Sequence, residues 1–313
     1  MDEHARSWAR SHTFTATEFL LDALVGAKSD RRISVVIPAR NEASTVGPIV
    51  EAIREQLMDT RPLIDELLVI DSDSTDETAA IARHAGAQVY SARDIAPELG
   101  WLPGKGEAMW KALFVATGDV LVFIDGDLTS FTPGYVTGLL GPLLTDQRIV
   151  LVKAFYDRDL GVEAAGVGQG GRVTELMARP AMSLWWPQLA GVIQPLAGEW
   201  AASRSFLESI PFPAGYGVEC AVLIDAYRRH GLEAIAQVDL GQRMHNHQDL
   251  ASLGVMAAEV LAAAERRRAS STDTLGETIS HPSKSANGAV WTTRPINDDE
   301  RPAFTTVRLT ERP

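Results

Sequence analysis

One cysteine, Cys220, is present in 313 residues. A single thiol excludes an internal disulfide framework and fits a reducing cytoplasm. No apolar run approaches the roughly 20 residues that a membrane-spanning helix needs, and no signal peptide is visible at the N-terminus. A cytoplasmic chain with no membrane partner is therefore expected. Basic residues are also in deficit: 29 Lys and Arg stand against 41 Asp and Glu, a net charge of −12. That balance argues against nucleic acid as a partner. It leaves room for small anionic substrates, provided they are held locally by a few Lys or Arg, by helix N-termini or by a metal. There is no internal repeat. Hydrophobic content of 45% and charged content of 22% are those of an ordinary globular chain, long enough for one large or two modest domains.

The chain is organised around residues 119–128, Asp-Val-Leu-Val-Phe-Ile-Asp-Gly-Asp-Leu. Val120 to Ile124 is an unbroken apolar run, as expected of a strand buried on both faces of a sheet. It ends in Asp125-Gly126-Asp127. Two carboxylates one residue apart at a buried strand end are costly unless something cationic sits there, and hard oxygen ligands suit magnesium or manganese. Gly126 lets the backbone turn sharply and a ligand come close. The plainer alternative is a strand ending in an Asp-Gly turn with solvated acids.

Further strands are predicted at 33–39, 66–71 and 87–90, with helices at about 43–56 and 76–85 between them; Gly86 ends the second helix. Strand–helix–strand–helix–strand within about sixty residues is the signature of an open, mostly parallel α/β sheet. In such sheets ligands bind at the carboxyl ends of the strands, where 38–42, 71–75 and 125–127 all fall. Later come a helix at about 107–116, a helical stretch at 139–144, strands near 149–156, 199–203 and 234–240, and helices at 217–229 and 250–268. Residues 1–31 read as an arm on the surface of the main body, with a short helix near 16–25. Residues 270–313 read as a loose tail, because 270–297 is rich in Ser, Thr, Gly and Asn. Between them, 32–160 and 161–269 read as the two halves of the main body.

Several stretches carry candidate chemistry. Asp71, Ser72 and Ser74 can hydrogen-bond a base or ribose, or simply cap the next helix. Gly104-Lys105-Gly106 resembles a fragment of a phosphate loop, though the full GxxxxGK[ST] spacing is absent; two glycines let backbone and ammonium approach an anion, and a solvated lysine is the bland alternative. The glycine-rich loop 168–174 opens a helix whose free N–H groups attract negative charge, with Arg172 and Thr174 adding donors; the alternative is a surface arginine on a mobile loop. In 242–247, an imidazole of His245 or His247 could complete a metal shell begun by Asp127, or both could be surface histidines. Glu219 stands at a helix start, where it could orient an acceptor hydroxyl or serve only as a partner of the helix dipole.

Together, 35–42, Asp71-Ser72 with 74–76, and Asp125-Gly126-Asp127 resemble the GT-A fold of nucleotide-sugar glycosyltransferases, a Rossmann-like, mostly parallel sheet flanked by helices with a C-terminal acceptor-binding portion. The further set 103–108, 151–156, 170–176 (Gly-Gly-Arg-Val-Thr-Glu-Leu), 195–199 and 215–219 (Gly-Tyr-Gly-Val-Glu) is much narrower. It resembles the glucosyl-3-phosphoglycerate synthases, the retaining, metal-dependent hexosyltransferases that start methylglucose lipopolysaccharide synthesis in actinobacteria. The likeness runs in order from about Arg32 to His247.

The resemblance implies the following roles. Pro38, Ala39, Arg40 and Glu42, with Ser72, hold the uridine of UDP-glucose; Lys105 contacts its diphosphate; Asp125 and Gly126 lie at the ribose or sugar. Asp127 and His245 bind Mg²⁺ or Mn²⁺. Gly171, Arg172 and Thr174 hold the phosphate or carboxylate of 3-phosphoglycerate. Tyr216, Glu219 and Arg243 line the sugar and acceptor site with His247 near the acceptor, and the backbone near Leu196 lies close to the anomeric centre. The resemblance also implies a homodimer. Arg40 stands where the family often has Leu, Gly126 where it often has Ser, and His247 where Asn is common; the last of these touches the acceptor or metal side and leaves glucose and mannose open, so a mannosyl-3-phosphoglycerate synthase using GDP-mannose is the first alternative. A sugar-nucleotide pyrophosphorylase is a second, but its glycine-rich triphosphate loop should follow the first strand, where Pro38-Ala39-Arg40-Asn41-Glu42 stands. A non-catalytic nucleotide-sugar binder is a third; the set Asp127, His245, Lys105 and Glu219 speaks against it.

Overall fold

Apolar strands alternating with helices leave the chain one economical way to bury both faces of its strands, a central sheet with helices on either side. The computed structural model describes residues 3–158, 171–243, 249–268, 278–285 and 288–307. Its strands are β1 (Thr13–Thr15), β2 (Ile33–Ala39), β3 (Glu66–Asp71), β4 (Gln88–Ser91), β5 (Val120–Phe123), β6 (Leu151–Arg158), β7 (Trp200–Ser203), β8 (Phe212–Pro213), β9 (Ile235–Arg243), β10 (Thr278–Ser285), β11 (Gly288–Pro295) and β12 (Glu300–Arg301). Eight of them form one sheet in the order β1-β9-β6-β7-β5-β2-β3-β4. Within it β7 runs antiparallel to both neighbours and every other pairing is parallel, which is the mostly parallel α/β sheet expected.

Alternation along each strand feeds two cores. Val35 and Ile37 of β2 pack on one side with Val122 and with Val46, Ile49 and Ile53 of the helix Val46–Ile53. Val36, Leu121 and Phe123 pack on the other with Met109, Trp110 and Leu113 of the helix Lys105–Val115, and with Leu223 and Ile224 of the helix Val218–His230. Each such side chain contributes roughly 1.5–3 kcal/mol on burial. Cys220 is buried in the second core, where burial pushes its thiol up to about 12.

The two ends of the chain depart from expectation. The N-terminal segment is not only a surface arm: β1 pairs with β9 as the sheet's edge strand, and Trp8 is buried with its indole N–H donating to the Ile235 carbonyl at 2.9 Å. Three residues are too few to show a strand period, so the pattern gave no signal. At the other end, β10 and β11 form a hairpin and β12 pairs with β8. Residues 295–307, expected to be loose, are fastened by Phe304 and Val307 packed on the second core and by polar contacts. Arg301 pairs with the fully buried Glu107 at 2.7 Å, and Arg267 sits between Asp225 and Glu300, 2.8 Å from each. The Trp110 indole donates to the Pro302 carbonyl at 3.0 Å. Contacts of this kind carry no hydrophobic periodicity.

Candidate functional site

Connections run from β2 to β3 on one side, whereas β5 pairs with the other edge of β2. This reversal of strand order is where an open α/β sheet leaves a crevice at the carboxyl ends of its strands. A cleft of about 1140 Å³ opens there.

Its first wall is built by two loops laced together. Asn41 adopts a left-handed backbone (φ 59°), as does Asp73 (φ 60°), a region that Asn and Asp tolerate better than most residues. The Asn41 N–H donates to Ser74 Oγ at 3.0 Å, and its side-chain oxygen accepts from the Thr75 N–H at 2.8 Å. Asp76 accepts from the N–H groups of Thr78 and Ala43. Of the capping expected in this loop only the Asp76 bond to the Thr78 N–H reaches the next helix; Asp71, Ser72 and Ser74 do not cap it, and Glu77 before it makes no side-chain capping bond. Pro38, Ala39, Arg40, Glu42 and Ser72, on these laced loops, line the cleft.

The floor holds Asp125, Gly126 and Asp127. Thr45 Oγ1 donates to the Gly126 carbonyl at 2.6 Å, fixing the turn. Burial, with Asp127 beside it, pushes the Glu42 carboxyl up to about 7. Such crowding of carboxylates is the condition a divalent cation relieves, and these hard oxygens fit magnesium or manganese. Among the described residues no three His, Cys, Asp or Glu side chains close into a metal shell. His245, expected as the second ligand, lies outside the described residues.

Lys105 opens the helix Lys105–Val115, two residues earlier than predicted. Its ammonium lies 2.5 Å from Asp125 Oδ1 and 2.7 Å from Glu219 Oε1. Burial alone would lower its pKa, but these two carboxylates outweigh that and hold it above the ordinary lysine range. The flanking glycines have a packing use that the sequence reading did not include. Gly104 has φ 133°, and a Cβ there would overlap the Ala214 carbonyl; a Cβ on Gly106 would overlap that of Pro213. They let the helix start press against the chain at 213–215, where the Glu107 N–H donates to Ala214 O at 3.0 Å. That contact brings Lys105 across to Glu219, itself 4% exposed in the first turn of the helix Val218–His230.

The cleft is lined as well by Gly171, Arg172 and Thr174, by Tyr216, and by Leu196. Arg172 is exposed and Thr174 buried. The first part of the expected glycine-rich loop, 168–170, lies outside the described residues, as does His247; Arg243 ends β9. The other residues to which the resemblance gave a role all line one cleft, whereas Asp71 and Ser74, read as further contacts for a base or ribose, are not part of its lining.

Several lining residues went unread in the sequence. Trp101 and the tail residues Asn297 and Asp299 line the cleft without any motif. Glu259 accepts from the N–H groups of Tyr216 (2.8 Å) and Asn297 (3.3 Å), joining the last helix and the tail to the rim. Gly198 lies directly against the Asp125 carboxylate, where a Cβ would overlap it; it stood inside the 195–199 stretch without a role assigned. Lys153, on β6, is 1% exposed and donates to the Ala197 carbonyl at 2.6 Å. Burial lowers its pKa to about 8, against the partial support of Glu219.

The family model described as Glycosyl transferase family 2 matches residues 34–189. Glucosyl-3-phosphoglycerate synthase of Mycolicibacterium smegmatis is 44% identical over 304 residues, covering 96% of this chain and 98% of that protein. The crystal structure of glucosyl-3-phosphoglycerate synthase from Mycobacterium tuberculosis in complex with Mn²⁺, UDP and phosphoglyceric acid is 43% identical, with TM-score 0.83 over 93% of this chain and 96% of that one. That of mannosyl-3-phosphoglycerate synthase from Rubrobacter xylanophilus is 38% identical, with TM-score 0.88 over 96% and 99%.

Proposed function

This chain belongs to the glucosyl-3-phosphoglycerate synthase family, and from that premise we propose that it moves glucose from UDP-glucose to the 2-hydroxyl of 3-phosphoglycerate with retention of configuration. One observation carries the reading. A single cleft joins an acidic mouth with a clamped lysine, suited to a metal-bound diphosphate, to a helix start bearing Arg172 and Thr174, suited to a small phosphorylated acid.

In this reading Pro38, Ala39, Arg40, Glu42 and Ser72 hold the uridine, and Asp125 and Gly126 border the ribose or sugar. Gly171, Arg172 and Thr174 hold the acceptor's anionic groups. Tyr216, Glu219 and Arg243 line the sugar and acceptor site, with His247 near the acceptor and the Leu196 backbone beside the anomeric carbon. A divalent ion held by Asp127 and His245 supplies charge neutralisation at the diphosphate. Lys105 adds a fixed positive charge where negative charge grows on the departing UDP. No covalent nucleophile is assigned. The bond from the anomeric carbon to the UDP oxygen breaks, the bond to the acceptor oxygen forms on the same face, and the departing phosphate takes the acceptor's proton. Positioning and charge stabilisation suffice for that step.

Mass analysis of products formed from Mg²⁺, 3-phosphoglycerate and either UDP-glucose or GDP-mannose tests the assignment. Glucosyl-3-phosphoglycerate from UDP-glucose is expected. Preference for GDP-mannose would instead place the chain functionally with the Rubrobacter enzyme that shares its fold. Asp127→Ala should abolish turnover while the protein stays folded; metal-independent activity of that variant would contradict the metal assignment.

The assembly proposed is a homodimer. Leu176 and Leu184 are 78% and 77% exposed on the consecutive helical segments Thr174–Ala178 and Arg179–Trp185, apolar area that a second copy would cover; light scattering measures it. Among the described residues no helix is long and apolar enough to cross a membrane, and the one buried thiol suits the cytoplasm proposed as its location.

A further inference from the structure

We propose that Lys153 is a positioning residue for the transfer: its buried ammonium fixes the turn 194–198, so that the Leu196 backbone and the Asp125 carboxylate keep their places in the cleft. This deepens the transferase reading above and rests on it.

The turn is clamped to β6 at three points. Gln194 Nε2 donates to the Tyr156 carbonyl at 2.6 Å, the Ala154 N–H donates to the Glu199 carbonyl at 3.1 Å, and between them Lys153 Nζ donates to the Ala197 carbonyl at 2.6 Å. The turn closes on itself through the Ala197 N–H and the Gln194 carbonyl at 3.1 Å. Lys153 thus holds the peptide that joins Ala197 to Gly198. Gly198 in turn abuts the Asp125 carboxylate, which carries Lys105. A shift of the Ala197 peptide therefore moves both Leu196, on the cleft wall, and the acid that orients the lysine proposed for the diphosphate.

A neutral amide could satisfy one carbonyl at much lower desolvation cost than an ammonium. The charge has a second use. Lys153 is faced by Asp125 after β5, Glu199 before β7, Glu219 on the helix Val218–His230, and Lys105 on the helix Lys105–Val115, with the Trp200 ring 5.9 Å away. Three carboxylates and one other ammonium leave that cluster acidic, and Lys153 offsets part of the excess from below the cleft floor.

The experiment compares wild type, Lys153→Met and Lys153→Gln in steady-state transfer, in UDP binding by calorimetry with Mn²⁺, and in thermal unfolding. Lys153→Met is expected to lower kcat about a hundredfold, the scale of a small misplacement of reacting groups. The KM for UDP-glucose and the affinity for UDP should stay within about threefold. Lys153→Gln, which restores a donor without charge, should recover part of kcat. The wild-type kcat should fall above about pH 8, where the ammonium is lost, and both variants should lack that limb. Undiminished kcat in Lys153→Met, or equal losses of kcat and UDP affinity in both variants, would overturn the proposal. Absence of transfer by wild type from any nucleotide sugar would instead sink the transferase reading itself.

Discussion

Lys105 Nζ lies 2.5 Å from Asp125 Oδ1, so the cation proposed for the donor diphosphate is already held by the acid that ends the central strand. Glu219 grips the same ammonium from the opposite wall at 2.7 Å. Because these partners raise the lysine above its ordinary range, their stabilisation is fully present below the unfolded lysine's pKa and is lost only at higher pH. The lysine therefore stays charged throughout the neutral range. Docking of a diphosphate exchanges one set of oxygens for another without first requiring a proton.

Gly198→Ala tests how much that pair depends on its setting. The new methyl would overlap the Asp125 carboxylate, which would have to swing away from Lys105. Loss of a single well-placed charge-stabilising group typically lowers kcat about 10²–10³-fold, and a fall of that order is expected in the transfer assay. Gly26→Ala is the control, since a Cβ there meets nothing within 4 Å. Equal activity of the two variants would show that the Asp125 position is unimportant.

The central strands and the acids at their ends were legible because a strand buried on both faces must be apolar throughout, and Val120 to Ile124 is. The grouping of Asp125, Asp127 and Glu42 followed from placing strand ends on one edge of a parallel sheet, whereas Arg172, at a helix start, joined them only through the family resemblance. The packing use of Gly104 and Gly106 was not legible, because a glycine permitting backbone contact with residues 213–215 looks in sequence like one permitting contact with an anion. Lys153 was hidden inside an apolar strand. Arg301 pairs with Glu107 across 194 residues, and no local period reports such a contact.

Arg172→Ala separates the proposed acceptor contacts from the donor contacts. Arg172 lines the cleft beside Thr174 and is exposed, free of the need to fill a core. A hydrogen bond to a charged group contributes about 1.5–3 kcal/mol, so KM for 3-phosphoglycerate should rise at least about tenfold while KM for UDP-glucose changes little. Matching losses for donor and acceptor would count against an acceptor role.

Arg301→Met probes the fastening of the C-terminal segment. Glu107 is fully buried and would lose both of its bonds to the guanidinium, and the Leu99 and Gly100 carbonyls would lose their donor. Stranding one member of a buried ion pair costs about 3–5 kcal/mol, which urea unfolding resolves. The double change Arg301→Met with Glu107→Gln should recover part of the loss. A change below roughly 0.5 kcal/mol in the single variant would mean that the segment is not anchored there.

Lys153 also makes stability depend on pH, with a sign that can be worked out. In the unfolded chain a lysine keeps its proton to roughly pH 10.4, whereas burial lowers the folded value to about 8. Between those limits the unfolded chain binds the proton and the folded one does not, so this residue's contribution to stability increases as pH rises. Below pH 8 the folded protein bears the full desolvation cost of the ammonium. Lys153→Met removes the titration and keeps most of the volume. The stability of wild type relative to Lys153→Met should therefore improve by on the order of 2–3 kcal/mol between about pH 7 and pH 10, measured by urea unfolding at both. Subtracting the variant cancels the other titrating groups. A difference that stays flat, or moves the other way, would mean that the lysine does not titrate in the folded interior as its burial requires.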